Sequence, residues 1–593
     1  MKKLISEISY IFNKKQKRNM IILLIAIFIG ALMELLGVSL FMPLTTVVTE
    51  PEKIESNVFL RSFRDFFALY DRKQMFIGLA VTIIVIYIVK NIYLSVMYYF
   101  LYGFIYHNQL KVESRLVDCY MKKPYVYHLD HNTSEMIRNI MLDSERLFQL
   151  ILQFLSVVSE LMLSVLLVMY LLVKDPVMTI SIAVVLVVSV GVFMAFTKNR
   201  SNRYGQINQK YDGIMHQAIE EALGAVKDIK ILHREKYFVD KFTYGGEQKM
   251  DALIHTNFFG AVPKYLIEMV CMAGILLVMI AKVLSGADMN SIVPELAGFA
   301  VAAFKLLPSV GKITNYFNGI SFLMPSIDLI YHDLKETEDM LEVEHKDESN
   351  APDISGADAI FVDRLSFAYP NTDRDVLKDV SLNIPTGSSV GLIGSTGSGK
   401  STLADVILGI FFPKDGEVRF GRMNVHDYPM TWAKRLAYIP QAIFLADESI
   451  KENIAFGIEP DEIDDGKVWE AVKEAQLTEF IKSLPEGLDT KVGERGVRLS
   501  GGQRQRIGIA RALYGNPEFL VLDEATSALD SDTEKAVMEA IDSLHGRKTM
   551  LIIAHRLTTI RNCDLIFEVS DGKVIPVDRT DFDEMLKETT LDE

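Results

Sequence analysis

Residues Gly394–Ser401 read GSTGSGKS and meet the pattern G-x-x-x-x-G-K-[ST] at every fixed position. In such a loop Gly394, Ser395, Thr396, Gly397, Ser398 and Gly399 turn backbone N–H groups toward phosphate oxygens. Lys400 then reaches the β- and γ-phosphates, Ser401 offers an oxygen to Mg²⁺, and a helix begins near Thr402. Further on, the apolar run Phe519–Leu522 ends in Asp523 and Glu524. An acidic pair at the end of a buried strand gives one carboxylate to a metal and one to polarise an attacking water. Asp523, directly after the strand, suits the metal, which leaves Glu524 as the general base. A second apolar run, Thr549–Ala554, ends at His555, where a histidine could reach a γ-phosphate from a neighbouring strand. The chemistry these residues share is attack of water on a bound nucleotide.

Leu499–Gln503 reads LSGGQ and precedes a helix-forming stretch. Gly501 and Gly502 at a helix start make another anion site, with Ser500 as an added donor and Gln503 closing the motif. One nucleotide needs one phosphate cradle, so a second cradle about a hundred residues downstream points to two chains sharing their nucleotides.

These motifs need a strand–loop–helix framework, and the composition shows where it lies. The chain has 593 residues with net charge −15, 49% hydrophobic and 23% charged. Mean hydropathy is +0.19. Residues 1–340 carry 34 Lys+Arg against 31 Asp+Glu, while the remainder carries 28 against 46. An apolar, slightly basic half therefore precedes an acidic, soluble one. That excludes a secreted domain, a disordered chain and an ordinary cytosolic enzyme, and the acidic half would repel nucleic acid. The expected organisation is a transmembrane domain over 1–340, a linker over 341–356 (with SNAPDISG at Ser349–Gly356) and an α/β nucleotide-binding domain over 357–593. The three cysteines, Cys119, Cys271 and Cys563, are far apart and support neither a disulfide framework nor a zinc site.

A bilayer core of about 30 Å takes about 20 apolar helical residues. Met20–Val48, Met75–Phe104, Leu147–Val173, Val177–Thr197, Phe258–Leu284 and Ile292–Leu323 fit, giving six spans. Lys and Arg concentrate before the first span and between spans two and three and spans four and five, which places the N-terminus, both long loops and the acidic half in the cytoplasm. The loops read as helix continuing beyond the bilayer, with turning points near Pro124–Asp130 and Ala225–Leu232. Glu34, Lys90, Glu160, Lys264, Glu268, Lys305 and Lys312 fall within spans, where a charge needs water or a partner. They either pair with one another or project into a cavity suited to an anionic cargo. Asn57–Tyr70 (NVFLRSFRDFFALY) reads as an amphipathic helix at the outer interface, an aromatic anchor or a surface for a lipid tail.

Together, Gly394–Ser401, Gln441, Leu499–Gln503, Phe519–Glu524, Ser527–Asp530 and His555 resemble the nucleotide-binding domain of ATP-binding cassette transporters, over about 360–574. The resemblance implies ATP and Mg²⁺ as cofactors. It implies that Tyr369 stacks on adenine, Gln441 senses Mg²⁺ and the membrane domain, Asp530 contacts the opposite subunit and His555 is the switch histidine. It also matches Glu494-Arg495-Gly496 to the segment that meets the coupling loops. Six spans before one cassette resemble the exporter half-transporters, a six-helix bundle with long cytoplasmic extensions that works as a dimer, here a homodimer with two competent sites.

Within that group, Glu34–Pro43 (ELLGVSLFMP), Ala222–Glu235 (ALGAVKDIKILHRE) and the exterior helix look like the bacterial flippases for lipid-linked oligosaccharides. This implies a multi-pass protein of the bacterial inner membrane, with membrane lipids and a polyprenyl-pyrophosphate oligosaccharide as partners and Lys90, Lys264 and Lys305 on the pyrophosphate. Export of other lipids, drugs or peptides is the nearer rival. A membrane ATPase that regulates a partner without transport is the other.

Overall fold

The computed structural model describes residues 2–49, 51–174, 176–284, 289–341, 347–354, 356–370, 372, 374–523, 531–554 and 556–592. It divides into two compact units, Met1–Lys123 with His131–Glu342, and Pro124–Asp130 with Val343–Glu593.

The first unit is helical. Its main elements are α1 (Lys14–Ser39), α2 (Val58–Phe67), α3 (Arg72–Lys122), α4 (Ser144–Lys174), α5 (Pro176–Gly224), α6 (Val226–Leu232), α7 (Glu235–Leu284) and α8 (Met289–Leu341). Among the described residues, Lys14–Val48, Arg72–Lys122 and Thr133–Val173 are long and apolar enough to cross a membrane. The 51 residues of α3 rise about 75 Å at 1.5 Å each, well over twice the bilayer core, so this helix must project past it. Asn13 starts α1 with a capping box, exchanging hydrogen bonds with Gln16 at 2.9 and 2.8 Å. The expected first span is present within Lys14–Val48, where a single turn residue of helical backbone angles, Leu40, divides α1 from the short helix Phe41–Thr49. Pro43 cannot donate to the carbonyl of Ser39, which is a physical reason for the turn.

Asn57 caps α2 by accepting from the Phe59 and Leu60 amides. Leu60 and Phe63 pack with Val47, Met75 and Leu79, while Phe59, Phe66 and Phe67 stay exposed. The amphipathic helix expected here is present, with Phe63 turned inward rather than joining the outer aromatic face.

A π-helical turn, Asn139–Asp143, leads into α4. Asp143 is fully buried there. It accepts from Arg138 (3.2 Å), Arg146 (3.3 Å), Gln209 (3.2 Å) and Ser326 (2.6 Å), and so ties the turn to α4, α5 and α8. Arg146 also pairs with Asp212, which Lys249 of α7 holds from the other side. Burial opposes ionisation of Asp212, yet these two cations win and keep its carboxyl below the usual range.

The second unit carries two sheets. One is antiparallel, in the order β2 (Leu377–Pro385), β1 (Ala359–Phe367), β4 (Asp415–Phe420), β5 (Met423–Asn424). The other runs β10 (Lys573–Pro576), β9 (Leu565–Ser570), β3 (Ser389–Ile393), β8 (Thr549–Ile553), β7 (Phe519–Asp523), β6 (Leu436–Ile439), parallel from β9 to β6. Strands β3 and β8 are buried along their whole length, as a parallel sheet covered on both faces requires. The helices that matter for the site are α9 (Lys400–Ile407) and α10 (Gly501–Tyr514). The short helix Tyr125–Asp130 belongs to this unit, with the Tyr125 ring 5.9 Å from Phe411. The stretch after 346 is anchored rather than loose: the Glu348 carboxylate accepts from the Met430 amide and from the Thr431 amide and hydroxyl.

Candidate functional site

Strand order fixes the site. β8 lies between β3 and β7, so the glycine loop after β3, the acidic end of β7 and the segment after β8 open side by side at the carboxyl edge of one parallel sheet. This is where α/β sheets bind ligands. Helix α9 starts at Lys400, two residues earlier than the expected start near Thr402. Gly394 sits at φ +142°, and a Cβ there would lie 2.3 Å from the Val569 carbonyl oxygen, so only glycine fits this turn.

Lys400 is buried, and its ammonium donates to the carbonyls of Gly394 (2.8 Å) and Ser395 (3.0 Å), folding across its own loop. A phosphate entering the cradle would offer that ammonium a stronger, charge-assisted partner. The Ser401 hydroxyl lies 3.5 Å from Asp523 Oδ1. Two hard oxygen donors this close suit Mg²⁺. Thr402 is held to the Tyr369 hydroxyl at 3.0 Å, and the Tyr369 ring meets Phe367 and Phe411 edge-on. Gln441 follows β6 on the surface.

Ser500 is the N-cap of α10. Its hydroxyl accepts from the Gln503 amide at 3.3 Å, and the Gln503 side chain accepts from the Ser500 amide at 2.8 Å. Gly501 is exposed and Gly502 buried. The helix therefore presents its positive end with two glycines and no bulky side chain over it. Glu494-Arg495-Gly496 forms a 3-10 turn, with Arg495 at φ +51°. Glu524, Ser527–Asp530 and His555 lie outside the described residues.

Two groups near the site were not singled out from the sequence. Tyr438, on β6, directs its hydroxyl to Asp523 Oδ2 at 3.4 Å, and burial with the nearby carboxylate pushes its own ionisation up. Asp405 is raised to about 6, chiefly by burial and then by the charge of Asp523. Its signal was available, since it stands one helical turn after Ser401.

The family model described as ABC transporter transmembrane region matches residues 20–291, and the one described as ABC transporter matches 377–527. The chain belongs to the ABC exporters, as a half-transporter. It couples ATP hydrolysis to transport across a membrane that it spans several times. Relatives include a protein of Cupriavidus pinatubonensis named ATP-dependent lipid A-core flippase, 28% identical over 468 residues (78% of each chain). A Pseudomonas aeruginosa protein of the same name is 32% identical over 67% of this chain and 64% of its own. The mouse mitochondrial ATP-binding cassette sub-family B member 10 is 34% identical over 60% of this chain and 50% of its own. Among solved structures, a bacterial Atm1-family ABC exporter with ATP bound shares the fold at TM-score 0.75 and 19% identity. That match covers 98% of this chain and 99% of the other.

Of the three lysines expected to meet cargo, the structure describes the side chains of Lys90 and Lys264. Lys90 is buried, with its ammonium 3.8 Å from Glu34 and 4.4 Å from the Tyr87 ring centre. Lys264 is exposed, as is Glu268. The Lys305 side chain lies outside the described residues. Lys312 pairs with Glu160 at 2.8 Å. Of the two alternatives for these charges, pairing accounts for Lys90 and Lys312.

Proposed function

We propose that the exporter flips a polyprenyl-pyrophosphate oligosaccharide from the cytoplasmic to the outer leaflet of a bacterial inner membrane, working as a homodimer. The observation that carries this reading is a cavity of about 240 Å³ among the membrane helices, lined by Glu34, Glu160 and Lys312. Charges at this depth cost several kcal/mol even when paired with one another, and the polar space they leave between the helices suits a cargo head group. The exposed aromatic face of α2 suits a long apolar tail at the outer interface. Lys90, Lys264 and Lys305 are the residues we assign to the pyrophosphate, Lys264 being exposed where Lys90 is buried.

At the engine, ATP lies in the Gly394–Thr402 cradle of one chain and is closed by the Ser500–Gln503 helix end of the other, with the adenine on Tyr369. Ser401, Gln441 and Asp523 would hold Mg²⁺, which neutralises phosphate charge. Glu524 orients the attacking water, and His555 holds the γ-phosphate. Closure passes to the bundle through the short helices Tyr125–Asp130 and α6, and hydrolysis resets it. The ATPase unit and the N-terminus face the cytoplasm on this reading.

Flipping by reconstituted protein tests it, with Lys90, Lys264 and Lys305 changed to Ala one at a time and together. Slower flipping of a polyprenyl-pyrophosphate oligosaccharide is expected, while an unchanged rate in the triple variant would remove the lysines' role. A second reading, export of other lipids, drugs or peptides, has support for its lipid arm in the lipid A-core flippase names of the relatives. ATPase stimulation by a panel of lipids, drugs and peptides separates the two.

A further inference from the structure

The cavity between α1, α3, α4 and α8 has a wall part apolar, with Ile27, Leu94, Met97 and Leu163, and part polar, and the described charges at it are paired. Lys312 faces Glu160 at 2.8 Å, and Glu34 faces Lys90 at 3.8 Å. Ser159 and Ser309 add hydroxyls to the wall. Glu160 Oε2 is buried and accepts no hydrogen bond. Tyr98 lines the cavity, and two more tyrosines of α3 continue from it at one-turn steps. The ring centres of Tyr98 and Tyr102 are 6.2 Å apart and nearly parallel at 29°, and those of Tyr102 and Tyr106 are 6.4 Å apart at 23°. All three stay open, at 46%, 44% and 63% exposure. From Tyr98 to Tyr106 the helix rises about 12 Å.

We propose that this cavity and the tyrosine rail form a track for the sugar rings of the cargo, distinct from any lysine contact with its pyrophosphate. The inference rests on the flippase reading and names the part of the chain that holds the glycan. Three occupants compete on chemical grounds. A phosphate needs uncompensated positive charge, and Lys312, the lysine in this cavity's wall, is already matched by Glu160. An apolar tail would meet Ile27, Leu94, Met97 and Leu163 but gains nothing from Glu34, Glu160 or the two serines and would leave Glu160 Oε2 unsatisfied. A neutral polyhydroxylated chain fits both features, with hydroxyls to donate to Oε2 and flat C–H faces to lie on the rings. Tyrosine combines an apolar ring with a polar rim, which suits such a ligand. An interfacial aromatic belt does not explain the rail, because a belt holds its tyrosines at one depth and these descend through two turns.

The test uses full-length protein in proteoliposomes and two probes, undecaprenyl pyrophosphate carrying an oligosaccharide and the same lipid carrying a single N-acetylglucosamine. The readout is the ratio of their flipping rates. Changing Tyr98 and Tyr102 together to Ala is expected to lower that ratio roughly tenfold, about the worth of one or two aromatic contacts. Changing both to Phe keeps the rings and is expected to restore most of it. A wild-type ratio in the alanine variant overturns the track, and so does a phenylalanine variant as impaired as the alanine one. Should the alanine variant fail to assemble, saturation-transfer NMR on the wild type reads the same contact with the oligosaccharide-bearing probe. Transfer from aromatic resonances to the sugar C–H protons is expected, and its absence overturns the proposal. Wild-type protein that flips neither probe fails the parent reading and takes the track with it. Wild-type flipping of both, with an indifferent rail, removes the track alone.

Discussion

The two halves of this exporter build polar sites by opposite means. In the ATPase unit the groups we assign to the nucleotide sit on strand ends and helix starts, so the backbone places them and short motifs record them. Gly394, Ser401 and Ser500 are each fixed by a turn or a cap. In the membrane unit the polar groups sit on helix faces and meet only when distant helices pack. Glu160 and Lys312 are 152 residues apart, and Asp143 and Ser326 are 183 apart. A site of the first kind is assembled from motifs that are each local in sequence. A site of the second kind exists only in one packing of the bundle, which suits a unit that must change conformation.

The sharpest contrast comes from isosteric substitutions that remove one carboxylate charge in each half. Glu524→Gln should leave ATP binding intact while steady-state hydrolysis falls at least ~100-fold, as expected for loss of a general base. Nucleotide binding measured beside phosphate release checks it, and near-normal turnover would overturn the assignment. In the membrane unit Asp143→Asn should act on stability instead. It leaves Arg138 and Arg146 facing a neutral group in a buried network, at a loss of ~3–5 kcal/mol for breaking such a pair. Thermal unfolding in lipid nanodiscs reads that loss. A change below ~1 kcal/mol would mean that the π-helical turn is held by packing rather than by charge.

What could be read in advance follows the same division. The glycine loop, the acidic strand end and LSGGQ announce themselves because their geometry needs particular residue types at fixed spacing. The long helices were legible from their apolar runs, although the turn at Leu40 was not drawn from Pro43. Partners on helix faces were not legible. Lys90 looked like a candidate for cargo, and only packing shows Glu34 beside it. Asp143 carried no signal, since nothing local says that Arg138, Gln209 and Ser326 converge on it. Tyr438 was hidden for a similar reason: it reaches Asp523 because β6 lies next to β7, a fact of strand order rather than of motif.

Asp405 gives the smallest effect, with a sign opposite to that of Asp143. Its folded carboxyl titrates at about 6 against an ordinary 3.8, because burial and the Asp523 charge both disfavour the anion. The folded state therefore holds a proton that the unfolded chain has released, and stability falls as pH rises between about 4 and about 6. Asp405→Asn removes that loss. In nucleotide-free protein it should stabilise the ATPase unit by at most ~2 kcal/mol near neutral pH, allowing for the group's partial exposure, and by nothing below about pH 4. Thermal unfolding at several pH values checks this. A variant equally stabilised at every pH would place the gain in packing, and a destabilised one would show that the carboxyl is needed where it stands. Either result would erase the difference between a half that keeps a costly charge beside its nucleotide and a half whose charges hold its helices together.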